Sequence, residues 1–589
     1  MSTDMDKPAV RTEPFMDKSY PIYTKKTECQ DCYKCVRECP VKAIKIEDAY
    51  ASIIDDLCIL CGHCVDICPS GAKQVRDDVP AAKRLLAERE KVIISLAPSF
   101  VSEFPELRPG QLIAALRKLG FSGVSETAMG AEQVSAHVGG LLERSSGEVF
   151  ISSACPTAVE YLRKFEPRYA PYLTDFLSPL LAHALLLRKE FGPEIGVVFV
   201  GPCVAKKLES DTHPELVEVA LTFEDLRRWL EEAQIDVEAI REKGDDLFIP
   251  RRSREGALYP IEGGMIASIQ GQKQGRLPTH FIQFSGIRRF SKALSGIEDL
   301  RPKENLFLEL LACFGGCVNG PKSQSRVSTV CKHYKIAHYA EAAAEVSESE
   351  LDITEVYVPD PVVHEDISDD RIRDALRQIG KLSETDELNC GGCGYDTCRD
   401  FARAFIEGKA ELSMCVSYMR VLAQKKAHIL IQKMPSAVVI VDQNIKVLEC
   451  NPVFARLFGS GGASDQSPSP LHLEGEMLES IMPFHRLFQS VIRSGEDLIE
   501  KDLRFKGRIL HAMVFTIEKH ALVGALFEDI TNPAMQREQV IKRARHVIQQ
   551  NLTTVQKIAY LIGENAAESE IILNSIVESF TPVDDESLS

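Results

Sequence analysis

The chain has 589 residues, of which 44% are hydrophobic and 26% charged, an ordinary composition for about three to five globular domains. The net charge of −17 argues against a nucleic-acid partner, because nucleic-acid-binding surfaces are basic. No apolar run reaches eighteen residues and the first twenty residues lack a secretory pattern, so we expect a cytoplasmic protein without a membrane partner.

The eighteen cysteines are the main chemical signal of this sequence. Many are separated by only two residues, a spacing that suits one metal centre better than a disulfide. A large chain without export signals is also expected in a reducing compartment. We therefore interpret most of the thiolates as metal ligands.

Residues 1–84 comprise an N-terminal tail followed by a cysteine repeat. Each copy has the form C-x2-C-x2-C-x3-C-P, first as Cys29, Cys32, Cys35 and Cys39, then as Cys58, Cys61, Cys64 and Cys68. Zinc knuckles or free thiols fit this doubled pattern poorly. It resembles the bacterial two-cluster ferredoxins. The resemblance implies one 4Fe-4S cluster on Cys29, Cys32, Cys35 and Cys68, and a second on Cys58, Cys61, Cys64 and Cys39.

Residues 85–345 alternate strand-like and helix-like stretches, which predicts an α/β domain. The apolar runs 91–96, 147–152 and 195–200 suit buried parallel strands, and helical patterns cover 110–119 and 177–191. Functional groups are expected after the strands. Four cysteines, the number that one further cubane requires, fall in such loops: Cys155, Cys203, Cys313 and Cys317.

These loops resemble the three signature loops of FeFe-hydrogenases, in the same order along the chain. The resemblance implies a two-lobed H-cluster domain with parallel sheets, in which the four cysteines hold a 4Fe-4S cube. Cys317 would also bridge to a two-iron subsite carrying carbon monoxide, cyanide and an azadithiolate. Lys206 would pair with a cyanide of that subsite, and Pro98 and Ser99 would line it.

Some family positions carry different residues here. The proton-transferring cysteine before the first cluster ligand is Ala154, and counting along the chain puts Val138 and Leu141 in place of two relay glutamates. The relay serine corresponds to Thr174. Methionines beside the subsite correspond to Gly201 and Leu311. Because Ala, Val and Leu carry no exchangeable proton, we expect slow hydrogen turnover.

An acidic, proline-containing linker is predicted over 346–372, followed by a small, mostly helical iron–sulfur module over 373–421. Its cysteines have the spacing C-x2-C-x4-C-x16-C, as Cys390, Cys393, Cys398 and Cys415. This resembles a 4Fe-4S module of anaerobic redox proteins. A structural zinc site remains the alternative, because four cysteines also suit tetrahedral zinc.

Residues 422–531 resemble an α+β PAS domain, and 532–589 a coiled-coil-like output helix. Apolar residues at a/d-like spacings suit either a homodimer seam or packing of the helix back on its own chain: Ile541, Ile548, Leu552, Val555, Ala559 and Ile562. His485 and Cys450 are weak candidates for a PAS cofactor ligand, and His546 for a phosphoacceptor.

Four 4Fe-4S clusters, a two-iron subsite and a PAS domain together favour a hydrogen sensor. Its expected partners are hydrogen, an electron carrier such as ferredoxin, and a downstream kinase, phosphatase or regulator. A ferredoxin-linked metabolic hydrogenase is one alternative. The other is an electron-transfer protein without the two-iron subsite, which the retained Cys317 and Lys206 disfavour.

Overall fold

The computed structural model describes residues 19–272, 277–341, 351–363, 365–459 and 473–531, with positions 547, 549 and 550. These residues divide into two units, one ending at Met414 and the other beginning at Cys415. The predicted coiled-coil positions and His546 lie outside the described residues. No helix within the described ranges is both long and apolar enough to cross a membrane.

The cysteine repeat folds into two short antiparallel strand pairs joined by cysteine-bearing loops. The outer pair joins β1 (Ile22–Thr24) to β4 (Lys73–Val75), and the inner pair joins β2 (Ile44–Ile46) to β3 (Ala51–Ile53). Two short helices, α1 (Lys34–Glu38) and α2 (His63–Asp66), follow the first cysteines of each copy. The strands are only three residues long, so the loops between them form much of this domain.

Two parallel sheets form the centre of the α/β region, as the sequence predicts. The strands are β5 (Val92–Leu96), β6 (Gly123–Glu126), β7 (Val149–Ile151), β8 (Gly196–Gly201), β9 (Val219–Thr222), β10 (Thr279–Ser285) and β11 (Asn305–Leu311). They form one sheet of order β6-β5-β8-β9 and another of order β10-β11-β7. Every residue of β5, β8 and β11 is buried, because helices cover both faces of such sheets.

Helices of this region connect and cover the strands. They are α3 (Val79–Glu88), α4 (Phe100–Glu103), α5 (Pro109–Lys118), α6 (Ala128–Arg144), α7 (Pro156–Phe165), α8 (Pro179–Phe191), α9 (Ala205–Thr212), α10 (Phe223–Glu232), α11 (Gly264–Gln272), α12 (Phe290–Leu294) and α13 (Thr329–Glu341). The crossing of α6 and α8 requires Gly130. A Cβ atom there would lie 2.1 Å from the Pro179 carbonyl oxygen. This close approach brings α8 against the end of the first sheet.

The described part of the predicted linker is packed rather than free. Ile353 is fully buried and its carbonyl accepts a hydrogen bond of 2.9 Å from the Leu177 amide. The module that follows contains α14 (Asp369–Gln378) and α15 (Cys398–Ile406). It contacts the cysteine repeat, since the Ile46 amide donates to the Lys409 carbonyl at 3.0 Å.

The second unit contains a five-stranded antiparallel sheet of order β13-β12-β16-β15-β14. Its elements are α16 (Val416–Lys433), β12 (Ala437–Asp442), β13 (Val447–Cys450), α17 (Pro452–Phe458), α18 (Leu478–Ile481), α19 (His485–Ser494), β14 (Leu498–Phe505), β15 (Arg508–Glu518) and β16 (Leu522–Asp529). Asn451 caps α17 by accepting from the Phe454 amide at 2.9 Å, and its amide group donates to the Ser436 carbonyl at 2.8 Å. Cys450 is buried within the hydrophobic core of this unit.

Candidate functional site

One cavity lies where the two parallel sheets of the first unit present the ends of their strands. Its volume is about 110 Å³, and its wall is formed largely by the loops that follow the strands. All eight residues predicted for this site line it: Pro98, Ser99, Ala154, Cys155, Cys203, Lys206, Cys313 and Cys317. They follow β5, β7, β8 and β11, so the parallel sheets bring together loops that are far apart in sequence.

The thiols of this cavity are electrostatically coupled. Burial raises the pKa of Cys203 to about 11, and it raises the pKa of Cys317 further, with added contributions from Cys155 and Cys203. Burial also raises the pKa of Cys313 well above its usual range. Four thiolates side by side in a buried space require positive charge to be stable. The donor set therefore fits a cationic iron–sulfur cube, and the cavity wall offers the thiols to it.

Ser99 supplies an independent sign that the cavity accommodates a polar group. Its side chain is 2% exposed, and its hydroxyl has no hydrogen-bond partner among the described residues. A buried hydroxyl without a partner is costly. Because Ser99 lines the cavity, a hydrogen-bond acceptor bound there would satisfy it.

Lys206 is held at the cavity wall by two side chains. Its ammonium donates to the Ser178 hydroxyl at 3.0 Å and forms an ion pair of 2.5 Å with Glu209. The Lys206 charge in turn lowers the pKa of Cys203 and Cys317 relative to burial alone. Sequence reasoning missed Glu209, although its position three residues after Lys206 on one helix places the two on the same face.

The positions of the expected proton relay are largely inert. Ala154 lines the cavity, and Val138 is fully buried in the hydrophobic core. Leu141 and Thr174 instead line a separate surface pocket. The Thr174 hydroxyl is 3.0 Å from the Ser153 hydroxyl, which donates to the Phe176 carbonyl at 2.8 Å. The hydrogen bonds of these two hydroxyls therefore lead to a backbone carbonyl and not to the cavity.

The two methionine positions differ in their relation to the cavity. Leu311 lines the cavity, whereas Gly201 does not. A Cβ atom on Gly201 would lie 2.4 Å from the ring of Phe199, which itself lines the cavity. Phe199 thus occupies space that a longer side chain at Gly201 would need. Sequence reasoning did not identify Phe199.

Glu309 is a further charged residue that sequence reasoning missed. It is 1% exposed, and burial raises its pKa to about 7. The amides of Met265 and Ile266 each donate to its carboxylate at 3.4 Å. Its charge contributes to the raised pKa of Cys317. A glutamate flanked by leucines within the buried strand β11 was the available signal.

The cysteines of the repeat also form two groups. Cys39, Cys58, Cys61 and Cys64 line one small internal cavity, although Cys39 is distant in sequence from the others. For the other group, burial raises the pKa of Cys35 to about 11, with smaller contributions from the neighbouring Cys32, Cys29 and Cys68. Both groupings agree with the crossed arrangement that the ferredoxin resemblance implies.

The group around Cys61 lies next to the large cavity. Cys61 contributes to the raised pKa of Cys313, which shows that the two thiols are close. Gly62, with φ of 74°, lies so near Pro321 that a Cβ atom would be 2.5 Å from the proline ring. The glycine therefore permits close packing of the repeat against the loop after Cys317.

The part of the module that belongs to the first unit contacts the repeat around Arg37 and Lys42. Lys42 donates to the Gly394 carbonyl at 2.7 Å, and Arg37 donates to the Gly392 carbonyl at 3.4 Å. Within the module, the Asn389 side chain accepts from the Cys398 amide at 2.8 Å. Cys390, Cys393 and Cys398 belong to the first unit, while Cys415 begins the second. The four-cysteine ligand set therefore stays a prediction.

Among the described residues, no three His, Cys, Asp or Glu side chains converge as ligands of one metal ion would. A cubane distributes its four thiolates over four different iron atoms. Cavities and neighbouring charges are therefore the relevant geometry for such clusters.

Four family models match consecutive parts of the chain. Residues 90–321 match the C-terminal domain of the iron-only hydrogenase large subunit, and residues 21–79 match a 4Fe-4S dicluster domain. Residues 386–417 match an Fe-S cluster family, and residues 427–498 match a PAS domain.

Curated relatives are distant. Iron hydrogenase 1 of Clostridium pasteurianum is 24% identical over 387 residues, covering 53% of this chain and 66% of that protein. The NADP-reducing hydrogenase subunit HndD of Solidesulfovibrio fructosivorans is 25% identical, covering 36% and 42%. The chain thus spans less than two thirds of either relative. The cytosolic Fe-S cluster assembly factor NAR1 of Yarrowia lipolytica is 26% identical, covering 31% and 41%.

Solved structures give weak overall similarity. An FeFe-hydrogenase described in relation to oxygen inactivation of its H cluster has a TM-score of 0.37 and 21% identity, covering 45% of this chain and 88% of that one. A variant of HydA1 from Chlamydomonas reinhardtii has a TM-score of 0.35 and 18% identity, covering 44% and 88%.

Proposed function

We propose that this chain, whose residues 90–321 match the C-terminal domain of the iron-only hydrogenase large subunit, is a hydrogen sensor. One observation carries the proposal: the cavity retains Cys317 and Lys206 but has Ala154 where the family's proton-transferring cysteine stands. Metal ligands are kept while the fast proton route is lost. A PAS domain in the same chain, matched over residues 427–498, favours signalling as the purpose of the site.

Cys155, Cys203, Cys313 and Cys317 would hold a 4Fe-4S cube, and Cys317 would also hold a two-iron subsite. That group would supply the metal at which hydrogen is cleaved and the electrons exchanged with it. Lys206, fixed by Ser178 and Glu209, would orient an anionic ligand in the cavity. The Ser99 hydroxyl would donate a hydrogen bond to the same group.

Proton movement is the step for which this cavity is poorly equipped. Ala154 has no exchangeable proton, and the core residue Val138 has none either. The hydroxyl pair of Thr174 and Ser153 leads to a backbone carbonyl. Slow turnover suits a sensor, because a sensor needs occupancy of its site rather than flux.

The arrangement of the cysteine groups in the first unit supports a redox relay. The group around Cys61 is next to the cavity, the group around Cys35 is in the same small domain, and the module contacts the loop near Arg37. Electrons would pass from the cavity through the repeat to the module. We propose that the PAS domain reports this redox state to a kinase, phosphatase or regulator, as a homodimer.

One alternative is an iron–sulfur electron-transfer protein without the two-iron subsite. The other is a metabolic hydrogenase that exchanges electrons with ferredoxin. The retention of both Cys317 and Lys206 at the cavity wall argues against the first. The loss of relay acids argues against the second.

Infrared spectroscopy of anaerobically matured protein tests the subsite. We expect bands from carbon monoxide and cyanide ligands in the natural chain and their loss in Cys317→Ser. Cys331→Ser is the matched control, since Cys331 is exposed and outside the cavity, and it should keep the bands. A natural chain without these bands would eliminate both hydrogenase functions.

Hydrogen production with a reduced viologen then separates sensor from metabolic enzyme. We expect a rate per loaded site about 100-fold or more below that of iron hydrogenase 1 of Clostridium pasteurianum, the size of effect of losing one general acid. A rate equal to that enzyme's would contradict the sensory proposal.

A further inference from the structure

Lys73 is a buried cation within the cysteine repeat. It lies on β4, opposite Thr24 of β1, and its side chain points inward so that the residue is only 3% exposed. The ammonium donates to the Thr24 hydroxyl at 2.6 Å and to the Ala51 carbonyl at 2.8 Å. Both of these acceptors are neutral, and no carboxylate of the described residues pairs with Lys73.

Two other buried lysines of this unit show the usual arrangement. Lys207 contacts Asp78 at 2.9 Å and Asp225 at 3.1 Å, and Lys206 contacts Glu209 at 2.5 Å. A buried charge is ordinarily compensated by an opposite charge nearby, because burial removes its hydration. Lys73 therefore requires an anionic neighbour other than a carboxylate.

The two cysteine groups of the repeat provide that neighbour. Burial raises the pKa of Cys35 in the first group and of Cys64 in the second, and the nearby Lys73 charge offsets part of that rise in both. The backbone amide of Lys73 also donates to the Cys68 thiol, so β4 is tied to the first group. Lys73 is thus positioned to act on both groups at once.

We propose that Lys73 is a redox-tuning residue, whose fixed positive charge between the two cysteine groups favours the one-electron-reduced form of both clusters. Each cluster gains one electron and one unit of negative charge when reduced, and an external reductant supplies that electron. A cation buried nearby stabilises the additional negative charge, and poor screening by water strengthens the effect. This inference rests on the cluster ligation in the proposed function.

The consequence concerns the relay. Since the repeat lies between the large cavity and the module, its clusters would set how readily electrons pass from one to the other. By raising the potentials of both clusters, Lys73 would make the repeat an electron acceptor from the cavity. A chain without this charge would pass fewer electrons toward the module at the same potential.

Redox titration followed by electron paramagnetic resonance tests the proposal on the full chain, reconstituted with iron and sulfide but without the two-iron subsite. The variants are Lys73→Gln, which removes the charge, and Lys73→Arg, which keeps it. Lys45→Gln is the control, because Lys45 is a surface residue of the same domain paired with Glu47. Iron and sulfide contents are measured first, so that only fully loaded proteins are compared.

In Lys73→Gln we expect the ratio of reduced to oxidised cluster at fixed potential to fall about tenfold for both clusters of the repeat, about 59 mV for a one-electron couple. The two clusters of the repeat are recognised in the paramagnetic resonance spectrum because neighbouring reduced cubanes broaden each other's signals. Lys73→Arg and Lys45→Gln should titrate like the natural chain.

Unchanged potentials in Lys73→Gln would overturn the proposal, as would a shift confined to one cluster. Loss of iron in both Lys73 variants would overturn it too, by showing that this side chain serves assembly. The result is independent of the two-iron subsite. Missing carbon monoxide and cyanide bands would refute the hydrogenase proposal and leave this one standing.

Discussion

His183 offers a quantitative test of how the interior of the α/β region is built. It is fully buried, with Nδ1 2.8 Å from the Ser95 hydroxyl and Nε2 2.9 Å from the Ser125 hydroxyl. Ser95 is in turn 2.7 Å from the hydroxyl of Thr127, which lines the large cavity. Burial lowers the pKa of His183 from 6.5 to about 3, so the imidazole stays neutral in the folded chain.

This depressed pKa makes stability depend on pH in a defined direction. Below pH 6.5 the unfolded chain takes up a proton on His183, whereas the folded chain does not until about pH 3. The contribution of the neutral His183 to the free energy of unfolding is therefore fully present above pH 6.5. It is lost progressively as the pH falls toward 3. The slope is about 1.4 kcal/mol per pH unit, so acidification to pH 5 costs about 2 kcal/mol.

The perturbation is His183→Gln, because an amide keeps one donor and one acceptor but does not titrate. Denaturant unfolding is followed by the fluorescence of Trp229, the single tryptophan, which lies in the same hydrophobic core as the α8 residues around His183. The variant should be less stable at pH 8. The difference in the free energy of unfolding between the natural chain and the variant should shrink by about 2 kcal/mol between pH 8 and pH 5. Only the natural chain loses stability through the protonation of His183 in its unfolded state.

His338→Gln is the control, since its side chain is 76% exposed and should show no such convergence. Cluster loss on acidification affects both chains equally and cancels in the difference. Parallel stability curves for the natural chain and His183→Gln would refute the assignment of a neutral, buried imidazole.

Three further predictions concern the relay, the helix crossing and the second unit. Ala154→Cys should raise hydrogen turnover little, because the apolar side chain of Val138 still interrupts the route; a large gain in a viologen assay would locate the bottleneck at position 154. Gly130→Ala should lower the thermal midpoint markedly, since its Cβ would clash with backbone, whereas Gly140→Ala on the same helix meets only the flexible Arg144 side chain at 3.3 Å. Equal midpoints for these two would contradict the close crossing. Asn451→Ala removes a cap and buried hydrogen bonds, and should destabilise the second unit by about 2 kcal/mol or more in denaturant unfolding; an unchanged midpoint would show that other groups cap the helix.

Short-range patterns made most of the candidate site predictable. The cysteine spacings within each loop are local, because one cluster is wrapped by neighbouring residues. Buried parallel strands are continuous apolar runs, and the predicted runs 91–96 and 195–200 agree closely with β5 and β8. Cysteines that follow such strands could therefore be assigned to one edge of a sheet before their contacts were known.

Properties that depend on packing between distant segments were not predictable. The local sequence of Glu309 does not show whether its side chain is buried, and it is burial in the folded chain that raises its pKa to about 7. The segment 351–363 has a linker's composition, yet Ile353 is buried. The module follows the α/β region in sequence, but it contacts the cysteine repeat near Arg37.

By itself the sequence predicted which thiols would bind metal, because ligand spacing is a local property of the chain. It also predicted, by resemblance, that Ala154 stands at the position of the family's proton-transferring cysteine, and a side chain without an exchangeable proton is inert in any fold. Only the tertiary structure decided that Cys39 lines one cavity with Cys58, Cys61 and Cys64, and that Lys73 is buried. A lysine in a short strand ordinarily faces water, and only the crossing of β1, β3 and β4 encloses this one.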